Sequence, residues 1–172
     1  MKLSQYKAVI CEGSAENAII DILLDCHKLI FDRSELIEEA VLRTRSATSF
    51  ESRYLRKGFK SKITIIRILD SRNENFKISK AYANKIDIIN VITAPEIEML
   101  IILNENKYNE YKKSGKKPSI FCKDILKFKN VKSYDFVYNY FQNPEDLIQS
   151  IKEYTRISKI KANEYTLNDL LK

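Results

Sequence analysis

Residues 7–24 read KAVICEGSAENAIIDILL, a short apolar run that ends on a carboxylate and a glycine and passes directly into a helical pattern. The apolar run predicts a strand over 6–11, and the pattern after it predicts a helix over 15–26. Glu12 is therefore expected at the C-terminal tip of a strand, beside the N-terminus of a helix. In open α/β sheets this edge is where ligands bind.

Strand and helix patterns continue to alternate along the chain. Further strands are predicted over 40–45, 62–69 and 85–92, and the second of these is apolar enough for a buried central position. The segments with a helical pattern are 33–38, 48–57, 74–84 and 97–104. This order predicts an α/β fold with a mostly parallel, four-stranded Rossmann-like sheet and helices on both of its faces.

The chain changes character after its first hundred or so residues. Residues 108–117 are rich in lysine and tyrosine and predict a loop. Helical patterns follow this loop over 119–141, over 143–158 and in a short segment after Thr166. We therefore expect an α/β core over 1–106 and a basic, helical C-terminal extension over 107–172 that packs on the core.

The composition is that of an ordinary globular protein, with 44% hydrophobic and 31% charged residues. Its three cysteines are widely spaced and form no CxxC pair, which argues against zinc binding and redox chemistry, and its three glycines form no Gly-rich phosphate loop. The first residues lack the apolar segment of a signal peptide, and no apolar run approaches the roughly 18 residues that cross a bilayer. We expect a cytoplasmic protein without membrane partners.

The basic charge is concentrated in the C-terminal part of the chain. Residues 107–172 carry fourteen Lys and Arg against eight Asp and Glu, whereas residues 1–106 carry sixteen against fifteen. A basic surface attracts phosphates and predicts a nucleic-acid partner, although lysine-rich tails can also serve only for solubility. The candidate nucleic-acid-binding residues are Arg43, Arg45, Lys112, Lys113, Lys116 and Lys117.

Carboxylates follow the ends of three predicted strands. Glu12 follows the first, Asp70 ends the third, and Glu96 and Glu98 follow the fourth. Because parallel strands bring their C-terminal tips to one edge of a sheet, these side chains are expected to converge. Such oxygen ligands suit Mg²⁺ or Mn²⁺, which polarise a phosphoryl group and lower the pKa of a bound water. The alternative is that these acids are solvated loop residues.

Two of these segments resemble the Toprim domain of topoisomerases, primases and small nucleases: residues 11–13, CEG, and residues 69–72, LDSR. In that family a glutamate after the first strand and a DxD pair after a later strand gather Mg²⁺ to make or break phosphodiester bonds. Residues 93–103, with a proline and a glutamate at the start of a helix, resemble the compact RloB-like Toprim branch, which is linked to phage defence. The resemblance covers about residues 6–104 and implies a nuclease with an ATPase partner.

The resemblance implies that Glu12 and Asp70 are catalytic, but Arg72 stands where the family has the second aspartate of its DxD pair. An arginine cannot bind a cation. Either Glu74 or Glu98 supplies the missing ligand, or a single metal suffices, or the site binds without catalysing. Arg72 itself is a candidate catalytic residue that neutralises a scissile phosphate, or else it forms a surface ion pair.

The leading prediction is an Mg²⁺-dependent, phosphodiester-handling protein, a nuclease that acts on nucleic acid. The alternative is a non-catalytic subunit that binds nucleic acid or a protein partner on a degenerate form of the same fold. The whole chain also resembles short proteins of Gram-positive bacteria that are sometimes named N-6 DNA methylase. The residues do not support methyl transfer, because no Gly-rich turn for S-adenosylmethionine follows the first strand and no Asn-Pro-Pro-Tyr motif is present.

Overall fold

Three parallel strands form the sheet at the centre of the fold. The computed structural model of the chain describes residues 2–56, 61–72, 75–94, 96–161 and 164–172. Within them the strands are β1 (Tyr6–Cys11), β2 (Ile63–Leu69) and β3 (Ile86–Ile92), in the spatial order β1-β2-β3. Central β2 pairs in parallel with both neighbours, so Ile63 lies between Tyr6 and Ile86. The C-terminal ends of the three strands therefore meet at one edge.

The fold is mixed α/β as predicted, but the described residues form three strands and not four. Residues 40–45 alternate as expected, with Leu42 buried and Arg43 and Arg45 exposed. Their contact with the sheet is a bridge between Leu42 and Ile10, in which the Leu42 N–H donates to a β1 carbonyl oxygen at 2.8 Å. A single bridge does not make a strand, so the prediction of a strand here is wrong.

The turns on either side explain why this segment does not extend the sheet. Glu38 and Glu39, just before it, have φ values of 60° and 50°, a left-handed conformation that bends the chain sharply. Ser46, just after it, caps a helix that begins at Ala47, because its side chain accepts a hydrogen bond from the Ser49 N–H. A segment confined between a turn and a helix cap keeps one contact with β1.

Helices surround the sheet, and no helix among the described residues has the length and apolar character needed to cross a membrane. The α-helices are α1 (Ser14–Asp25), α2 (Ala47–Phe50), α3 (Met99–Asn104), α4 (Tyr108–Ser114), α5 (Pro118–Asp124), α6 (Tyr134–Tyr140) and α7 (Pro144–Ile157). Helix α2 continues as a π-helical turn over Glu51–Leu55, and 3₁₀ turns lie at Arg33–Glu35, Ile37–Glu39, Ala83–Lys85 and Leu167–Leu170. Lys57 and Pro95, at two of the predicted helix ends, lie outside the described residues.

The helix predicted over 74–84 is wrong for the described part of that range, which contains only the 3₁₀ turn Ala83–Lys85. The chain before this turn is held by Phe76, which is buried. The Arg67 guanidinium of β2 lies 4.6 Å from the centre of the Phe76 ring. Packing on the sheet therefore overrides the local helical preference of this segment.

The loop predicted over 108–117 is also wrong, because helix α4 occupies most of it. Tyr108 and Tyr111, one helical turn apart, pack against the core. Gly115 follows the helix with φ of 64°, the left-handed conformation that commonly ends a helix. The lysines and the glycine of this segment therefore mark the end of helix α4, and the segment is not a continuous loop.

The sheet separates two apolar layers. On one face, Val9, Ile66 and Val91 pack with residues of α1, α3, α5, α6 and α7. On the other face, Ala8 and Ile65 pack with α2 and the π-helical turn. Both layers come from the same strands because successive strand residues point to opposite faces. The larger layer joins the C-terminal helices to α1, α3 and the sheet in one continuous core.

Strand β3 is an edge strand that is covered over its last residues. Tyr165 forms a parallel bridge with Val91, and the Ile92 N–H donates to the Tyr165 carbonyl oxygen at 2.8 Å. Near the beginning of the strand, Asp87 and Ile88 are exposed. The covered end of β3 is the end at which the three strands terminate.

Helix α5 offers a test of the larger layer. Phe121 is completely buried, whereas its neighbour Ile120 is 43% exposed. Phe121→Ala removes a ring and leaves a cavity, so we expect the free energy of unfolding to fall by about 3–5 kcal/mol, measured by urea titration. Ile120→Ala in the same helix is the matched control and should cost about 0.5 kcal/mol or less. Equal losses in the two variants would contradict this packing.

Candidate functional site

The C-terminal edge of the sheet opens into a cavity of about 160 Å³ that is lined by acids. It lies between the ends of β1 and β2, the first turn of α1 and the segment before α3. We call it the acidic cavity. Its charged lining residues are Glu12, Glu16, Asp70, Glu96, Glu98 and Lys132. The structure thus brings together the four acids that the sequence predicts as metal ligands.

Backbone hydrogen bonds position Glu12 and Asp70 at neighbouring strand ends. The Glu12 N–H donates to the Ile68 carbonyl oxygen at 3.0 Å, which continues the contact between β1 and β2 beyond the last residue of β1. The Asp70 N–H donates to Glu12 Oε2 at 3.0 Å. The Glu12 carboxylate is therefore oriented by the backbone that carries Asp70.

Glu16 is a buried acid that the sequence analysis did not single out. It lies in the first turn of α1 and is 5% exposed. Gly13 makes room for it, because a Cβ at that position would overlap Glu16 Oε2. Acids are common in the first turn of a helix, because they offset the helix dipole. The position of Glu16 in the sequence therefore does not distinguish it from such acids. The available signal is the spacing Glu12-Gly13-x-x-Glu16, with a glycine between two acids.

Burial and like charges raise the pKa values of two of these acids. Burial is the main cause that raises the Glu16 pKa to about 7; a hydrogen bond to its own backbone opposes the rise, and the charges of Glu98, Asp70 and Glu12 add to it. Burial likewise raises the Glu98 pKa, although Lys132, 3.8 Å from Glu98 Oε1, opposes this. The arrangement is electrostatically unfavourable, and a bound proton or cation relieves it.

Helix α5 contacts the segment that carries Glu96 and Glu98. The Ser119 N–H, in the first turn of α5, donates to Glu96 Oε2 at 2.9 Å. One turn later, Cys122 Sγ lies 3.9 Å from the Glu98 carbonyl oxygen. These contacts bring the start of α5, and with it Lys117, close to the acids.

The chemistry of the acidic cavity fits a hard divalent cation. Its donors are carboxylate oxygens, which Mg²⁺ and Mn²⁺ prefer. Its volume of about 160 Å³ exceeds several-fold the roughly 30 Å³ that one water occupies, so an ion that keeps several waters can be accommodated. Over the described ranges, however, no group of three or more His, Cys, Asp and Glu side chains is arranged so that it could hold a metal ion.

Arg72 does not line the acidic cavity. Its Nη2 donates to Glu164 Oε2 at 3.0 Å and to the Lys159 carbonyl oxygen at 3.4 Å. The hydrogen bond from Arg72 is the main cause that lowers the Glu164 pKa to about 2. This contact is the ion pair expected as the alternative role of Arg72, and a role at a scissile phosphate stays a prediction. Glu74, the other candidate ligand, lies outside the described residues.

The lysines predicted to bind phosphates lie in the last turn of α4 and in the turn between α4 and α5. Lys116 forms an ion pair with Asp124 at 2.7 Å. The Lys112 Nζ lies 5.7 Å from the centre of the Tyr108 ring. Lys112 and Lys113 before Gly115 and Lys117 after it are exposed, whereas Lys116 is half-buried.

The remaining cations of interest come from other parts of the fold. Arg43 and Arg45 are exposed in the segment that Leu42 attaches to the outer side of β1. Lys132, between α5 and α6, reaches Glu98 in the acidic cavity. Nothing in the local pattern of Lys132 distinguishes it from the other lysines of the C-terminal part, so its place in the acidic cavity could not be predicted from the sequence.

No protein-family model, no curated protein and no solved structure matches this chain. The Toprim resemblance therefore stays a prediction from the short segments that carry it. Function is accordingly inferred from the geometry and charge of the acidic cavity.

Glu16 makes the stability of the protein depend on pH. Its pKa is about 7 in the folded state and 4.5 ordinarily, so its charge costs no stability below about pH 4.5 and its full cost above about pH 7. Glu16→Gln keeps the shape and removes the charge. We expect this variant to match the wild type near pH 4 and to be more stable by roughly 3 kcal/mol near pH 8, in urea titrations of the metal-free protein.

The control for this experiment is Glu39→Gln, at an exposed position. It should stay within about 0.5 kcal/mol of the wild type at both pH values. A Glu16→Gln variant that is destabilised equally at both would contradict the crowding of Glu16 with Glu12, Asp70 and Glu98, and would indicate a structural hydrogen bond instead.

Proposed function

We propose that this chain is a nuclease, or a closely related phosphodiester-handling protein, that acts on nucleic acid with Mg²⁺ or Mn²⁺. The observation that carries the proposal is the acidic cavity, where five carboxylates from separate segments converge at the C-terminal edge of a parallel sheet. Burial is the larger cause of the raised Glu16 pKa, and the crowding of Glu16 with Glu98, Asp70 and Glu12 adds to it. Such crowding disfavours folding, and a cation that the acids bind would account for it.

The proposed ligands are Glu12 and Asp70 on the sheet side, with Glu96 and Glu98 on the α3 side. The N–H of Asp70 orients the Glu12 carboxylate, and the N–H of Ser119 orients that of Glu96. Side chains held in this way lose little conformational freedom when a ligand binds. When bound, the metal would polarise a phosphoryl group and lower the pKa of a water that attacks phosphorus.

Glu16 and Lys132 set the charge of the acidic cavity. Lys132 offsets part of the charge of Glu98, but one lysine among five acids leaves the cavity negative. A negative cavity attracts a divalent cation. Glu16 lies beside Gly13 in the buried part of the lining, where a nearby cation would favour its charged form.

A nucleic acid has to approach these acids despite its own negative charge. The exposed Lys117 lies two residues before Ser119, whose N–H contacts Glu96, and the exposed Lys113 lies in the last turn of α4 before it, so we propose that both hold phosphates near the acidic cavity. Contacts of this kind hold phosphates and do not read sequence. The basic excess of residues 107–172 supports the same role.

A second candidate is a non-catalytic subunit that binds nucleic acid or a protein partner on the same fold. Arg72 favours it, because this residue replaces a family aspartate and is engaged by Glu164. A site with one ligand fewer can hold an ion without cleaving a substrate. We also propose a cytoplasmic location, on the basis of the sequence. An ATPase partner and a role in phage defence are proposed on the basis of the resemblance to the Toprim family.

Calorimetric titration with Mn²⁺ tests the metal site directly. The wild type should bind Mn²⁺ saturably. Glu12→Gln and Asp70→Asn each remove a charged ligand, so the affinity should fall by more than the roughly 10- to 100-fold that loss of an outer hydrogen-bonding partner costs. Asp87→Asn, at an exposed position near the start of β3, is the matched control and should bind like the wild type.

Cleavage assays on labelled DNA and RNA then separate the two candidate functions. Mn²⁺-dependent cleavage that is lost in Glu12→Gln favours the nuclease. Saturable Mn²⁺ binding without cleavage of any strand favours the binding subunit. A wild type that does not bind Mn²⁺ overturns the metal-dependent proposal, and stabilisation by S-adenosylmethionine would point to a methyltransferase.

The role of the basic surface is tested with a pair of double variants. Lys113→Glu with Lys117→Glu should weaken nucleic-acid binding at low salt and reduce the slope of log K against log salt by about 0.9 for each lost phosphate contact on duplex DNA. The control reverses Lys77 and Lys80, which are exposed in the segment that packs on the opposite face of the sheet. Equal effects of the two pairs would indicate that only net charge matters.

A further inference from the structure

A second cavity, about 290 Å³ in volume, is lined in part by residues that neighbour those of the acidic cavity in the sequence. Its lining residue Arg72 lies two positions after Asp70, and its lining residue Met99 directly follows Glu98. The two cavities therefore share the segments that follow β2 and precede α3. We call it the tyrosine cavity after three of its lining residues, Tyr108, Tyr111 and Tyr154.

Contacts within the fold hold these rings in place. Tyr111 packs edge-on against buried Phe121, with ring centres 5.6 Å apart. Tyr154 is 6% exposed, and its hydroxyl donates to the Ala94 carbonyl oxygen. The ring centre of Tyr108 lies 6.4 Å from that of Tyr111, with the planes inclined at 32°. Rings positioned in advance bind a flat ligand with a small entropy cost.

Tyr108 also lines a larger groove of about 640 Å³ on its other side. This groove is rich in amide side chains and also contains Asp146 and the ion pair of Arg156 with Glu153. Amides both donate and accept hydrogen bonds, as the edges of nucleic-acid bases do. The amide-bearing residues of the groove are Asn104, Asn106, Asn109 and Gln149. Tyr108 thus lies between a ring-lined cavity beside the acids and a groove that can bind base edges.

We infer that Tyr108 and Tyr111 stack on an unpaired base of a single-stranded nucleic acid and so place a neighbouring phosphate at the acidic cavity. This inference rests on the proposed function and names the substrate class of that site. In a duplex both faces of a base are already stacked, whereas an unpaired base can enter a cavity lined by rings. Exposed Lys159 lines the same cavity, within reach of the backbone of such a strand.

The charged residues that line the tyrosine cavity are the cations Arg72 and Lys159, and Arg72 is already paired with Glu164. Burial is the main cause that raises the Tyr111 pKa, and the nearby charge of Glu96 adds to it. The phenol is therefore neutral near pH 7. Neutral rings stack with any base, because every base has a π face. The expected binding consequently shows little sequence preference.

Fluorescence anisotropy with a labelled oligo(dT) strand, in buffer containing EDTA, tests this base site without the metal. Tyr108→Ala should weaken binding by about 5- to 150-fold, the range expected for loss of one base–ring stack. Tyr108→Phe keeps the ring and should bind like the wild type. The matched control is Tyr138→Ala, which removes an exposed tyrosine of α6 outside both cavities.

An abasic strand of the same length separates stacking from charge. It keeps the phosphates and lacks the bases, so the wild type and Tyr108→Ala should bind it equally weakly. The inference is overturned if Tyr108→Ala binds oligo(dT) as the wild type does, if the wild type does not bind oligo(dT), or if Tyr138→Ala weakens binding as much. It is also overturned if Tyr108→Ala weakens binding of the abasic strand to the same extent. Thermal unfolding checks that each variant is folded.

Mn²⁺ calorimetry on the same variants distinguishes failure of this inference from failure of the proposed function. Tyr108→Ala should bind Mn²⁺ like the wild type, since Tyr108 does not line the acidic cavity. Mn²⁺ binding together with an unaffected oligo(dT) affinity in Tyr108→Ala rejects the base site alone. Base binding that depends on Tyr108 in a protein that binds no Mn²⁺ keeps the base site and rejects the metal-dependent function.

Discussion

Parallel pairing of β2 with β1 on one side and β3 on the other is the constraint on which the site depends. All seven residues of β2 are buried, which suits a strand with a neighbour on each side and a layer on each face. A parallel connection must cross a face of the sheet before the next strand begins, so successive strands end at the same edge. Glu12, Asp70 and the segment that carries Glu96 leave the sheet there. Topology, and not local preference, brings the acids together.

The gathering of acids at this edge opposes the stability that the rest of the fold provides. Glu16 and Glu98 are almost fully buried, and burial disfavours their charged forms. Gly13 has no side chain, and the space that a Cβ would fill there is occupied by the Glu16 carboxylate. The apolar layers on both faces, with buried rings such as Phe121, supply the stability that tolerates this arrangement. Functional sites commonly show this conflict between local stability and use.

Local patterns were sufficient where one element decides the outcome, and they failed where tertiary contacts decide it. The position of Glu12 could be predicted because an apolar run precedes it and a glycine follows it. The three strands could be predicted because each contains an apolar run. Leu42 lies in an alternating segment, but a strand also needs a series of backbone hydrogen bonds to its neighbour. The turn before this segment and the helix cap after it prevent that series from forming. The segment around Phe76 has a helical pattern, but the contact of Phe76 with Arg67 of β2 decides its conformation. Lys132 reaches the acids from a distant loop, and no short-range pattern records such a contact.

The covered end of β3 determines how other molecules approach the acids. An edge strand with open N–H and C=O groups is a template on which a further strand can be added. Tyr165 occupies that position at Val91 and Ile92, beside the edge that carries the acidic cavity. At the far end, exposed Asp87 places a charge on the strand. A peptide or a second copy of the chain would have to displace Tyr165 to extend the sheet there, so this end of β3 is protected from edge-to-edge pairing beside the cavity that we propose as the site of chemistry.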